Sequence, residues 1–145
     1  MESKTVSIYL REVDAEIQAR GDNRSHVINR DLERLYALYK RALKEVPLSV
    51  QEAWLLVDVL NGSLMDANTA RLLWANVEDG CALDGLDKKW EVDGKALAEK
   101  LRNLSDFQNM ALIDAAEKFW QANNGSMTDD DLQKFFPQTK QPTRQ

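Results

Sequence analysis

Residues able to cap a helix recur through the second two-thirds of the chain, each ahead of apolar residues at helical spacing. Ser49-Val-Gln-Glu52 is a capping box, in which the serine hydroxyl accepts one orphan backbone N–H and the glutamate carboxylate another. It opens a helix that should reach about Leu60 and stop at Asn61-Gly62. Asp66 or Asn68 can cap a second, through Leu72, Leu73 and Trp74 to about Val77, ending before Gly80. Asp93 can cap a third, to about Asn103. Ser105-Asp-Phe-Gln108 is another capping box, ahead of Leu112, Ile113, Ala116, Phe119 and Trp120, with a stop near Asn123-Asn124-Gly125. Thr128 starts a short fifth piece that ends at Phe136, before Pro137. Residues 47–136 therefore read as a helical domain of four to five helices. Residues 137–145 read as a disordered tail, because QTKQPTRQ has no large apolar residue.

The N-terminal third is patterned differently. From Lys4 to Leu10 the residues alternate, with Val6, Ile8 and Leu10 on one side and Thr5, Ser7 and Tyr9 on the other, the period of a half-buried strand. No second strand candidate follows. The missing backbone partners would come most simply from a second copy about a two-fold axis, which predicts a homodimer. Arg11 to Arg20 reads as a short helix closed by Gly21, with Asn23 placed to cap the next. Val27, Ile28, Leu32, Leu35, Tyr36, Tyr39 and Leu43 then recur at helical spacing through Arg24 to Glu45, a long amphipathic helix.

Charge divides the chain at the same place. Residues 1–45 carry nine Lys/Arg against eight Asp/Glu, a net +1, whereas residues 46–145 carry ten against sixteen, a net −6. Proline disfavours helix at the residue before it, so Val46-Pro47 is a steric boundary as well as a compositional one. A module junction falls near residue 46.

The segments TVSIYLR (5–11) and GDNRSHVINRDLERL (21–35) resemble the ribbon-helix-helix DNA-binding proteins, the group of the Arc and MetJ repressors and many antitoxins. The resemblance covers about residues 3–45. It implies a mainly α fold class in which one β-strand per subunit pairs across a homodimer, followed here by the all-α domain, and a β-ribbon that enters the DNA major groove. Carried onto this chain, it places Thr5, Ser7 and Tyr9 against base edges and Val6, Ile8, Leu10, Val27, Ile28 and Leu32 in the dimer core. Phosphate contacts fall to Lys4, Arg11, Asn23, Arg24 and Ser25, the last three at a helix N-terminus. The central strand face lacks Arg and Lys, so base selectivity should be modest.

Other chemistries are excluded or left without support. One cysteine, Cys81, and one histidine, His26, provide neither a disulfide nor a Cys/His zinc site, and no cofactor is implied. The sequence has no P-loop, G-x-G-x-x-G, G-x-S-x-G or H-E-x-x-H, and so no catalytic constellation. Trp54, Trp74 and Trp120 fall on apolar helix faces and are explained by packing. Gly80 to Gly94, dense in aspartate and containing Trp90, reads as a solvated loop or small hairpin, since its spacing does not fit a calcium loop. Apolar runs are too short to span a membrane and the N-terminus does not resemble a secretory signal, so the expected location is cytoplasmic. The leading expectation is a dimeric repressor that binds double-stranded operator DNA, with dimers pairing as tetramers there, and whose acidic domain binds an effector or partner. The alternatives are an antitoxin that neutralises a toxin through that domain, and a dimeric interaction protein that does not bind DNA.

Overall fold

Two reciprocal capping boxes organise the helical domain. In the computed structural model, which describes residue 15 and residues 24–61, 70–123, 125 and 127–140, Ser49 Oγ accepts from the Glu52 N–H at 3.1 Å while Glu52 Oε1 accepts from the Ser49 N–H at 2.9 Å. Ser105 and Gln108 repeat the arrangement at 3.1 and 3.0 Å. Asp93 accepts from the Ala96 N–H and Thr128 from the Asp131 N–H. Each cap removes an orphan donor and is worth about 1 kcal/mol.

The described elements are α1 (Arg24–Lys44), α2 (Val50–Val59), α3 (Leu73–Asp84), α4 (Leu86–Trp90), α5 (Gly94–Arg102), α6 (Asp106–Ala122), α7 (Asp129–Phe135) and a 3₁₀ turn (Pro137–Lys140). Every regular element among the described residues is helical, with no strand and no sheet. The ribbon-helix-helix fold class is therefore corrected to an all-helical one, and of that expectation only its mainly α character stands. Alternation specifies a strand only where a second strand supplies its backbone partners, and this chain offers one such stretch. That stretch, Lys4 to Leu10, lies outside the described residues, as does the first expected helix apart from Ala15. The candidate caps Asp66 and Asn68 lie outside them too.

The chain divides into two compact units, Met1–Leu38 and Tyr39–Gln145, and the division falls within the length of α1. In the second unit α2 is the central element. Ala53, Trp54, Leu55, Leu56 and Val57 are buried consecutively, so this helix is enclosed on all sides rather than along one stripe. It packs against α3, α4, α6, α7 and the 3₁₀ turn, while α3 lies along α5. Leu73, Leu97, Leu101, Leu112, Phe119 and Phe136 fill the space between them, each essentially without solvent contact. Full burial of one such side chain is worth about 1.5–3 kcal/mol.

Two glycines shape α3 and its end. Gly80, expected just beyond a helix end, lies inside α3. A Cβ there would meet Leu86 Cδ1 at 2.9 Å and Val59 Cγ2 at 3.2 Å, so it marks a close approach of α2, α3 and α4. Gly85 is the actual stop, at φ +65°, with its N–H on Cys81 O at 3.1 Å. The stretch 80–94 is therefore helical for most of its length rather than a solvated loop or hairpin. Residues 137–140, read from composition as part of a tail, form the 3₁₀ turn and bury Gln138.

Candidate interaction surface

The two units present different surfaces. In the first, α1 carries its apolar residues on one half of the helix circumference, and they are unevenly covered. Val27 is fully buried and Ile28 and Leu35 are half-buried, but Leu32, Tyr36 and Leu38 are 39, 45 and 50% exposed. Ile28, Leu32 and Leu35 are spaced four and then three residues apart, the spacing of a seam between two helices. Beside the stripe Asp31 lies 3.8 Å from Arg30 and 3.9 Å from Arg34. Such solvent-facing pairs contribute about 0–1 kcal/mol, so they orient side chains more than they stabilise. Over its length α1 has six Lys/Arg against two Asp/Glu, a net +4 in a chain of net −5.

Most sequence-designated contact residues lie outside the described ones: Lys4, Thr5, Ser7, Tyr9, Arg11 and Asn23, together with Val6, Ile8 and Leu10. Arg24 begins α1 and Ser25 is exposed in its first turn. Of the designated dimer-core residues, Val27 is buried, Ile28 half-buried and Leu32 exposed. Tyr36 and Leu38 were not designated, although the sequence signal for Tyr36 was present in its i+4 relation to Leu32.

In the second unit the polar and aromatic groups hold the fold together. Trp90 stacks on Trp54 with ring centroids 5.3 Å apart and planes 7° from parallel, and Phe119 meets Trp54 edge-on at 5.6 Å. Three indole N–H groups donate across the core: Trp54 to Asp129 Oδ1 at 2.8 Å, Trp90 to Asp58 Oδ2 at 2.9 Å and Trp120 to Val57 O at 2.8 Å. Lys89 joins Asp58 at 2.8 Å. Lys100 ties α5 to the start of α2, donating to Pro47 O at 2.8 Å and to both oxygens of Glu52 at 3.0 and 3.1 Å. Trp74, the fourth indole, lies under the Arg102 guanidinium at 4.0 Å.

The second unit holds the chain's one cysteine, Cys81, half-buried and outside any disulfide. Burial pushes the Cys81 thiol above its usual value, and the nearby Asp87 and Glu78 carboxylates push it the same way, against a smaller opposing hydrogen bond from Asp87's backbone. A thiol held protonated is a poor nucleophile. His26 is exposed in the first turn of α1, in the other unit. Among the described residues no cluster of three or more His, Cys, Asp or Glu could hold a metal ion, and no helix is long and apolar enough to cross a membrane. Comparison with protein-family models, with curated proteins and with solved structures finds no match.

Proposed function

We propose that this chain is a non-enzymatic interaction protein that self-associates through the apolar stripe of α1, with the acidic helical unit as the folded body the pairing brings together. The observation that carries this reading is the contrast within one helix: Val27 is completely covered, while Leu32, Tyr36 and Leu38 remain substantially open to solvent. Three large apolar side chains exposed on one helix are an unfavourable surface unless something covers them. The 4-3 spacing of Ile28, Leu32 and Leu35 suits a second copy of the same helix. Sedimentation velocity over a concentration series tests this. The wild-type chain should shift from monomer to dimer, and Leu32→Lys should stay monomeric with an unchanged helical circular dichroism spectrum. A wild-type chain that remains monomeric at the highest concentration refutes the reading.

A second reading, a DNA-binding regulator that contacts phosphates through the polar face of α1, is favoured by the net +4 charge of that helix. Fluorescence anisotropy with a random duplex across a salt series separates the two. Binding that weakens steeply with salt supports the second reading, and no binding at low salt removes it.

A further inference from the structure

We propose that the outward face of α3 docks a cationic amphipathic helix of a partner protein, one apolar side chain of which seats in a cleft beside Leu83 while its lysines or arginines meet Asp79 and Asp84. The cleft has a volume of about 430 Å³ and lies where α2, α3 and α4 come together. Val59, Gly80 and Leu86 give it an apolar lining, and Leu83, Asp79 and Asp84 border it along α3. All these residues belong to the second unit, and none is on the exposed stripe of α1.

The apolar side of this face is uncovered. Leu83 is 82% exposed, more than any other large apolar side chain among the described residues. Leu72, 46% exposed at the start of α3, precedes it by three helical turns and so lies on the same side of the helix. One exposed leucine needs no explanation, but two on one helical face, beside an apolar cleft, form a patch of the kind that marks an interaction site. They stand about 16 Å apart along the axis at 1.5 Å per residue, which is the length of three turns of a second helix laid along the first.

Charge selects the occupant. Helix α3 carries Glu78, Asp79 and Asp84 and no lysine or arginine. Asp58 and Lys89 also line the cleft, but they are joined at 2.8 Å and neutralise each other. Asp79 and Asp84 are exposed and have no ion-pair partner among the described residues. The cleft therefore sets two uncompensated carboxylates beside apolar surface. A helix with apolar residues every three or four positions and lysine or arginine next to them matches both features. An acidic helix meets like charge, and a wholly polar one leaves the leucines uncovered.

The test is an amide-correlation NMR titration of the full chain with a capped peptide of two Lys-Leu-Ala-Lys-Ala-Leu-Ala heptads. Two controls carry glutamate at every lysine or serine at every leucine. The first peptide should move the resonances of Val59, Gly80, Leu83 and Leu86 saturably, and each control should bind at least about ten-fold more weakly. Leu83→Ser, and Asp79→Asn combined with Asp84→Asn, alter only exposed side chains and should keep the fold. Each should weaken binding about ten-fold. Asp130→Asn removes a carboxylate outside the cleft and should leave the affinity unchanged, which separates docking on α3 from general attraction to an acidic protein. Binding that survives Leu83→Ser, an equal loss in Asp130→Asn, or no saturable shift at these residues would each overturn the proposal. So would a loss of self-association in Leu83→Ser by sedimentation velocity, since a second copy of the chain would then be what covers the face.

Discussion

Helices α1 and α2 invert the usual link between pattern and burial. The apolar residues of α1 keep to one face with charge on the other, yet Leu32, Tyr36 and Leu38 stay open to solvent. In α2 a run of five buried residues, Ala53 to Val57, shows little facial preference because every face is covered. Periodicity reports that a helix has two unlike sides, not that its apolar side has found a partner. A nearly continuous apolar run is the stronger sign of a central helix. Of these two helices the patterned one has apolar surface to spare, and the proposed contact lies there.

The largest expected effect tests this contrast directly. Leu56→Ala should lower unfolding free energy by about 2–5 kcal/mol, through lost transfer energy and the cavity left behind. Leu32→Ala, in dilute protein, should stay within about 0.5 kcal/mol of wild type. Urea denaturation of both variants decides it, and equal losses would mean that the exposure difference carries no energetic meaning. Repeating the Leu32→Ala measurement at high concentration sharpens the point, because coverage by a second copy adds stability only to the wild type.

How much was legible from sequence follows the same logic. The capping residues Ser49, Asp93, Ser105 and Thr128 were readable because a cap is made by residues three apart in the chain. The three helical tryptophans were readable as packing groups because each sits on an apolar face. Trp90 was not, since its stack on Trp54 and its bond to Asp58 join residues more than thirty positions apart. The strand expected at Lys4 to Leu10 rested on alternation and on the ribbon-helix-helix resemblance; it lies outside the described residues, which contain no strand. Gln138 went unnoticed because a polar residue in a polar stretch gives no sign of burial. Only the fold shows that its side chain is enclosed.

Gly80 and Gly85 give a smaller, sharper test of the packing around α2. An asparagine tolerates the left-handed backbone, and Gly85 has open space where a Cβ would stand, so Gly85→Asn should change stability by no more than about 0.5 kcal/mol. At Gly80 the added side chain meets Val59 of α2 and Leu86 of α4, and Gly80→Asn should cost about 2 kcal/mol or more. Thermal unfolding of the two variants distinguishes a glycine needed for its backbone from one needed for its size. Similar melting temperatures would show that α2 is less tightly enclosed than its buried residues indicate.

The smallest effect concerns a charge held against the helical core. Burial on α6 raises the Glu117 carboxyl above its ordinary value, and the neighbouring Asp114 carboxylate adds to the shift. Asp114 itself pairs with Lys118 at 2.9 Å, so that lysine's charge is already engaged one position along. Because the folded state holds this proton more tightly than the unfolded chain, the folded state binds more protons across the window that opens at the ordinary carboxylate range. Stability from this residue is therefore present at acid pH and falls as pH rises through the raised value. Glu117→Gln removes the ionisation without removing the side chain. It should unfold at a higher temperature than wild type at pH 7, with the difference closing as the pH falls below the ordinary carboxylate range. A difference of the same size at both pH values would assign the effect to packing rather than to charge, and the Glu117 side chain would then matter for what it touches on α6 and not for its proton.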